Sequence, residues 1–119
     1  MANRTYLTMI ASEDLSTSQF KILSVSGENT VALRVAAGAG VLGILDNKPK
    51  NGENATVVVA GLTRCMAGGT VAAGSWISVT ASGTGLAATS GQYILGKSIT
   101  GVASGAYFQL LVQHNGYRG

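Results

Sequence analysis

The side chains that could do chemistry are few in this sequence, and they lie far apart along the chain. His114 is the one histidine, and Cys65 is the one cysteine. A hydrolytic triad or a zinc site needs a histidine that is held rigidly and joined by further partners or ligands. A free cysteine in an apolar strand packs as a small hydrophobic residue. The two residues therefore predict a buried thiol and a surface imidazole, and no active site.

The acidic residues likewise do not indicate an active site. There are five of them: Glu13, Asp14, Glu28, Asp46 and Glu53. Asp46 and Glu53 flank one polar loop and could approach each other, as acid–base catalysis or a cation site would require. The same loop carries Lys48 and Lys50, so solvation explains its charges. Glu13 and Asp14 are expected to be solvated or to face a partner. We therefore expect that the protein is not an enzyme and that it binds no metal and no cofactor.

One glycine-rich segment has the spacing of a dinucleotide-binding loop. Residues 38–43 match G-x-G-x-x-G. That motif binds a pyrophosphate only where it joins a strand to a helix. Here a helix-poor, β-branched sequence follows, so the glycines are interpreted as turns.

The elements that position these residues are short strands. The chain has one proline and 17 glycines, and its apolar or alternating runs are separated by Gly, Asn and Ser. This pattern is typical of strands and turns. Strands are predicted over residues 20–25, 30–35, 41–45, 55–66, 75–80, 86–88, 93–99 and 107–112. The run 55–60 suits a strand buried on both faces, with a bulge or bend at Gly61. The predicted fold class is all-β: one small β-barrel domain.

The ends of the chain are predicted to differ from this core. Residues 1–18 are interpreted as an extended N-terminal arm, residues 19–113 as the barrel-like core, and residues 114–119 as a polar tail. The arm begins with strand-forming residues that could add to an exposed sheet edge of a partner or a neighbouring copy. These residues are Arg4, Thr5, Tyr6, Leu7, Thr8, Met9 and Ile10. Trp76 is the one tryptophan, and its alternating strand favours a core or interface anchor over a sugar-stacking platform.

A faint internal repeat runs through the core. Gly38, Leu42, Gly43 and Gly52, shifted by 53 residues, meet Gly91, Leu95, Gly96 and Gly105. Each set is followed by an apolar triplet, 57–59 or 110–112. The repeat predicts two similar hairpins that pack parts of a common core.

Composition indicates a surface that other molecules cover. Charged residues make up 11% of the chain, against about 25% in a typical soluble domain. Interface centres are depleted in charge in the same way. The net charge of +3 comes from scattered cations with few aromatic residues, so direct nucleic-acid binding is not expected. No apolar run approaches the ~18 residues that span a bilayer, so no membrane association is expected.

The order of glycine turns and valine-rich strands resembles a known family. It comprises residues 36–38, 41–44, 52–53, 56–61, 71–74, 76–79 and 94–99, followed by the last apolar strand. This pattern, over residues 20–113, resembles the small phage capsid cement proteins, also called head-decoration or capsid-stabilising proteins. The arm and the tail lie outside the resemblance.

The resemblance implies a compact β-barrel or β-tulip-like fold and a structural role in a virion. Such a protein would be made in the host cytoplasm and would bind the major capsid protein on the outer surface of a phage head. It would act there as a homotrimer that bridges neighbouring capsomers. The family has no catalytic residues to transfer. The alternative is a carbohydrate- or receptor-binding β module on a virion, with Trp76 and the loop 46–54 as its binding surface.

Overall fold

The computed structural model describes residues 4–33, 41–89 and 91–114, and within these ranges it contains nine strands and no helix. The strands are β1 Arg4–Ala11, β2 Ile22–Gly27, β3 Thr30–Ala32, β4 Gly43–Leu45, β5 Asn54–Met66, β6 Trp76–Val79, β7 Gly85–Ala87, β8 Gly96–Ser98 and β9 Tyr107–Val112. The predicted all-β class is confirmed. Strand β9 begins and ends where its alternating sequence predicts.

The first five strands close into a barrel. They neighbour one another in the order β1-β3-β2-β4-β5, and β5 pairs back with β1. The β1–β3 ladder is parallel and short, while β1 and β5 pair antiparallel along most of β1. The barrel interior is filled by a hydrophobic cluster that includes Leu23, Leu45 and Val57. The predicted small barrel is therefore confirmed.

The remaining strands extend the sheet from the second part of β5, in the order β5-β9-β8-β6-β7. A single parallel bridge, Ala67 to Gly85, brings β7 back beside the end of β5. A second cluster, which includes Ile77, Phe108 and Leu110, fills the space enclosed by these strands.

The two halves of the sheet repeat each other strand by strand. Six register pairs, two each in β2–β3, β2–β4 and β4–β5, recur in β6–β7, β6–β8 and β8–β9. The offset is 54 residues for β2 and β3 and 53 for β4 and β5. Ile22 thus corresponds to Trp76 (22 + 54), Ile44 to Lys97 (44 + 53) and Val58 to Leu111 (58 + 53). The repeat is larger than the two hairpins that the sequence predicts.

Strand β5 belongs to both halves. Residues 54–61 pair with β1, and residues 61–66 pair with β9 in the way that β1 pairs with the first part of β5. Ala11 and Ala67, one in each half, also make matching bonds: each accepts the N–H of a glycine, Gly52 at 2.8 Å or Gly105 at 3.0 Å. We call β1–β4 with residues 54–60 the first unit, and residues 61–66 with β6–β9 the second unit.

The structure corrects the predicted N-terminal arm. Residues Arg4–Ile10 pair with β5 at seven positions, and the two residues Ala11 and Leu15 are buried in the core of the first unit. Leu15 donates its N–H to the carbonyl of Pro49 at 2.9 Å. The polar sequence after β1 obscured this role, because only its widely spaced apolar residues face inward. Strand β1 is thus a barrel strand, and the segment after it contributes Leu15 to the barrel core.

Two equivalent glycines allow neighbouring strands to approach closely. A Cβ added at Gly43 would lie 2.2 Å from the carbonyl oxygen of Val58, and one at Gly96 would lie 2.0 Å from that of Leu111. Both distances are far below van der Waals contact, and both neighbours are backbone atoms that cannot move without disturbing the ladder.

We expect Gly96→Ala to lower the free energy of unfolding by about 3 kcal/mol, because β8 must move away from β9. Gly105→Ala is the matched control: its Cβ would meet nothing within 4 Å, and its φ of +83° alone should cost about 1 kcal/mol. Urea unfolding measures both values. Equal losses in the two variants would contradict the close approach.

Candidate interaction surface

Cys65 and His114 do not form a reactive site. Cys65 is fully buried, and burial raises the pKa of its thiol to about 12, so the nucleophilic thiolate is absent near neutral pH. His114 lies on the surface between the two units. Its Nε2 is 3.0 Å from the carbonyl oxygen of Leu42 and must donate, which leaves Nδ1 to accept from the Tyr93 hydroxyl in the neutral ring. His114 therefore links the units, and tail residues 115–119 lie outside the described residues.

Three of the five carboxylates accept hydrogen bonds from backbone N–H groups. Glu53 accepts the N–H of Lys50 at 2.7 Å, and Glu13 accepts that of Leu33 at 2.9 Å. Asp14 accepts hydrogen bonds from Ser16, which hold its carboxyl pKa below the usual value. Over residues 4–33, 41–89 and 91–114, no group of three or more His, Cys, Asp or Glu side chains could hold a metal ion.

The first exposed apolar surface lies on β1. Tyr6 and Leu7 point to opposite faces of the strand, as successive residues do, yet they are 44% and 42% exposed. Ile10, on the same face as Tyr6, is 37% exposed. The β1–β3 ladder begins only at Ile10, so residues 5–9 pair in a ladder with β5 alone among the described strands. We call residues Thr5–Ile10 the β1 rim.

The second surface is the solvent-facing side of β6, β8, β9 and the last part of β5, which we call the outer face. Its residues are Leu62, Arg64, Met66, Trp76, Lys97, Tyr107, Gln109 and Leu111. Lys97 pairs in register with both Trp76 and Leu111, so these three side chains form a row across three strands. The ammonium nitrogen of Lys97 lies 4.8 Å from the centroid of the Trp76 ring, within the range of a cation–π contact.

Phe20 extends the outer face past the edge of β5. Its φ of +67° is rare for a bulky residue. The conformation is held by two hydrogen bonds: the Phe20 N–H donates to Leu45 at 2.7 Å, and its carbonyl accepts from Met66 at 3.0 Å. The ring then meets Tyr107 edge to face at 5.3 Å, and the Arg64 guanidinium lies 5.9 Å from its centroid.

The predicted interface residues are divided between these surfaces. Thr5–Ile10 lie on the β1 rim, with Arg4 at the start of the strand, and Trp76 lies on the outer face. Strands β5, β9 and β8 stand between β1 and β6 in the sheet order, so the two predicted sites are separate. One side of the Trp76 ring is taken by Lys97, which makes it a poor sugar-stacking platform.

Sequence reasoning missed the other members of the outer face. The alternation in β9 indicates that Tyr107, Gln109 and Leu111 share one side, but their neighbours depend on strand register. No sequence signal announces the left-handed conformation of Phe20, since glycine or asparagine normally occupies such a position.

Comparisons with known proteins bear on the fold. No protein-family model and no curated protein sequence matches the chain. The crystal structure of the head fiber gp8.5 N base of bacteriophage phi29 is similar over 100% of both chains, with a TM-score of 0.73 and 13% sequence identity. At this identity the likeness establishes a shared fold. The described ranges hold no helix with the length and hydropathy needed to span a bilayer.

We expect the Cys65 thiol to resist a disulfide reagent such as DTNB at pH 8 in the native protein and to react at once in denaturant. The stability should also fall between pH 9.0 and about 12, because the unfolded thiol loses its proton there while the folded one keeps it. Comparison with Cys65→Ala isolates this component from other titrating groups. Native labelling as fast as labelling of the unfolded chain would contradict the assigned burial.

Proposed function

We propose that this protein is a structural component of a phage virion that binds the outside of the capsid and bridges neighbouring capsomers. The observation that carries the proposal is the fold, shared over the whole chain with the base of a phage head fiber. The exposed apolar side chains of the β1 rim and the outer face support binding as its role.

A bridging protein needs two contact surfaces that are fixed relative to each other. The β1 rim and the outer face meet this need, because strand β5 belongs to the ladders of both units. Both carry exposed aromatic and aliphatic side chains, which monomeric proteins seldom group without a partner. Trp76 of the outer face lies three strands away from the β1 rim, which lets the two surfaces contact different capsomers.

The β1 rim suits the addition of a strand. Residues 5–9 have β5 on one edge, and β3 joins the other edge only at Ile10 and Ala11. A strand of the major capsid protein could bind along that edge through backbone hydrogen bonds, while Tyr6 and Leu7 pack beside it. A homotrimer on the shell would repeat such contacts and gain avidity without a large interface per copy.

We expect a Tyr6→Ser, Leu7→Ser double variant to bind heads about tenfold more weakly, because it loses roughly 1–2 kcal/mol of apolar contact on binding. Cosedimentation with purified heads that lack this protein measures the affinity. Deletion of the whole N-terminal segment is the wrong test, since it would also remove Ala11 and Leu15 from the core.

Val25→Ser is the matched control. Val25 is 57% exposed, more than any other large apolar residue among those described, and it lies on β2 away from residues 5–9. It should leave head binding unchanged.

Bound protein should also raise the temperature at which filled heads release DNA. If saturating protein leaves that temperature where it was, the bridging role fails.

A further inference from the structure

We propose that the outer face docks on a protein patch of the capsid shell that is apolar at its centre and acidic around it. The inference rests on the proposed function for the identity of the partner and deepens it by naming the surface and its chemistry. It follows from the internal repeat, from a change of residue type within that repeat, and from the distribution of charge.

The repeat supplies the first argument. In the first unit, Ile22, Ile44 and Val58 form a row across β2, β4 and β5, and all three are completely buried against the second unit. The corresponding row of the second unit is Trp76, Lys97 and Leu111, and each of these residues keeps part of its surface in solvent. The first row is thus covered by the second unit of the same chain. The equivalent row of the second unit remains partly exposed and is available to another molecule.

The change of residue type supplies the second argument. The buried row is aliphatic, as permanent interiors are, whereas the open row combines a tryptophan, a leucine and a lysine. Phe20, Arg64 and Tyr107 continue it with two aromatic rings and a guanidinium. Tryptophan, tyrosine and arginine are the residues that dominate binding energy in protein interfaces. Such a face tolerates water when free and supplies apolar contact when covered.

Charge supplies the third argument. All five carboxylates lie within residues 13–53, and none lies within residues 54–119. Residues 1–53 carry five cations and five acids, for a net charge of 0, so the whole +3 belongs to Arg64, Lys97 and Arg118. Within the part of the chain that the structure describes, Arg64 and Lys97 contact aromatic rings and form no ion pair.

Arg64 and Lys97 are therefore able to form ion pairs with carboxylates of another molecule. Each is already oriented by an aromatic ring, Phe20 or Trp76, which lowers the conformational entropy lost on binding. The same face of a second copy would bring like charges together, which disfavours a symmetric self-contact. Two cations are too few to follow a nucleic-acid backbone, so an acidic protein patch fits best.

The test uses the full chain with Arg64→Glu, Lys97→Glu and the double variant, against phage heads that lack this protein. We expect each single variant to bind about tenfold more weakly, and the double variant to lose most of the salt dependence that wild type shows between about 50 and about 300 mM salt. Lys48→Glu makes the same charge change on an exposed lysine of the first unit and should bind as wild type does. Protection of the Cys65 thiol verifies that each variant is folded.

The outcomes separate the two proposals. If wild type binds heads and the charge-reversed variants bind equally well, the assigned face is wrong and the proposed function stands. If wild type does not bind heads at all, the proposed function fails, and the shell as partner fails with it. Sedimentation equilibrium and titration with a single-stranded oligonucleotide complete the test. If the variants abolish self-association or oligonucleotide binding and leave head binding intact, a second copy or a nucleic acid replaces the shell as the occupant.

Discussion

Two consecutive valines carry the constraint on which this fold depends. Val57 and Val58 point to opposite faces of β5, and both are completely buried, one in the barrel interior and the other between the units. A strand can satisfy this only if it has neighbours on both edges and a layer of side chains on both faces. Strand β5 meets the requirement by pairing with β1, β4 and β9. The positions of the other strands follow from those three ladders.

The repeat gives the chain two similar units with different surroundings. The first closes completely, because β1 supplies a strand that precedes its hairpins. The second uses the end of β5 for the same purpose and is joined to β7 by a single bridge. Ile22, Ile44 and Val58 lie on the outside of the first unit's barrel and complete part of the core of the second unit. The units are therefore joined by a shared core as well as by a shared strand.

Local pattern predicts much of this architecture. The β-branched run in β5 and the alternation in β9 are visible in the sequence, and the glycine repeat indicates a duplication. The sequence does not reveal that β1 is a barrel strand, because its partner in β5 lies about fifty residues away and its exposed side chains occupy both faces. The outer face cannot be predicted without the strand register, since Trp76, Lys97 and Leu111 become neighbours only through pairings between three strands. The position of Phe20 cannot be predicted either, because it depends on the hydrogen bonds that hold its backbone in the left-handed region.

The shared strand also determines how the molecule transmits force. A pull between the β1 rim and the outer face passes through the β1–β5 ladder and then through the β5–β9 ladder. Both ladders are antiparallel and consist of several consecutive pairs. Tension directed along β5 loads them in shear, so that many hydrogen bonds must break together and not one after another. The covalent backbone of β5 carries the load across Gly61 from one unit to the other. A small domain with few charges and a modest core can in this way be mechanically stiff along one axis.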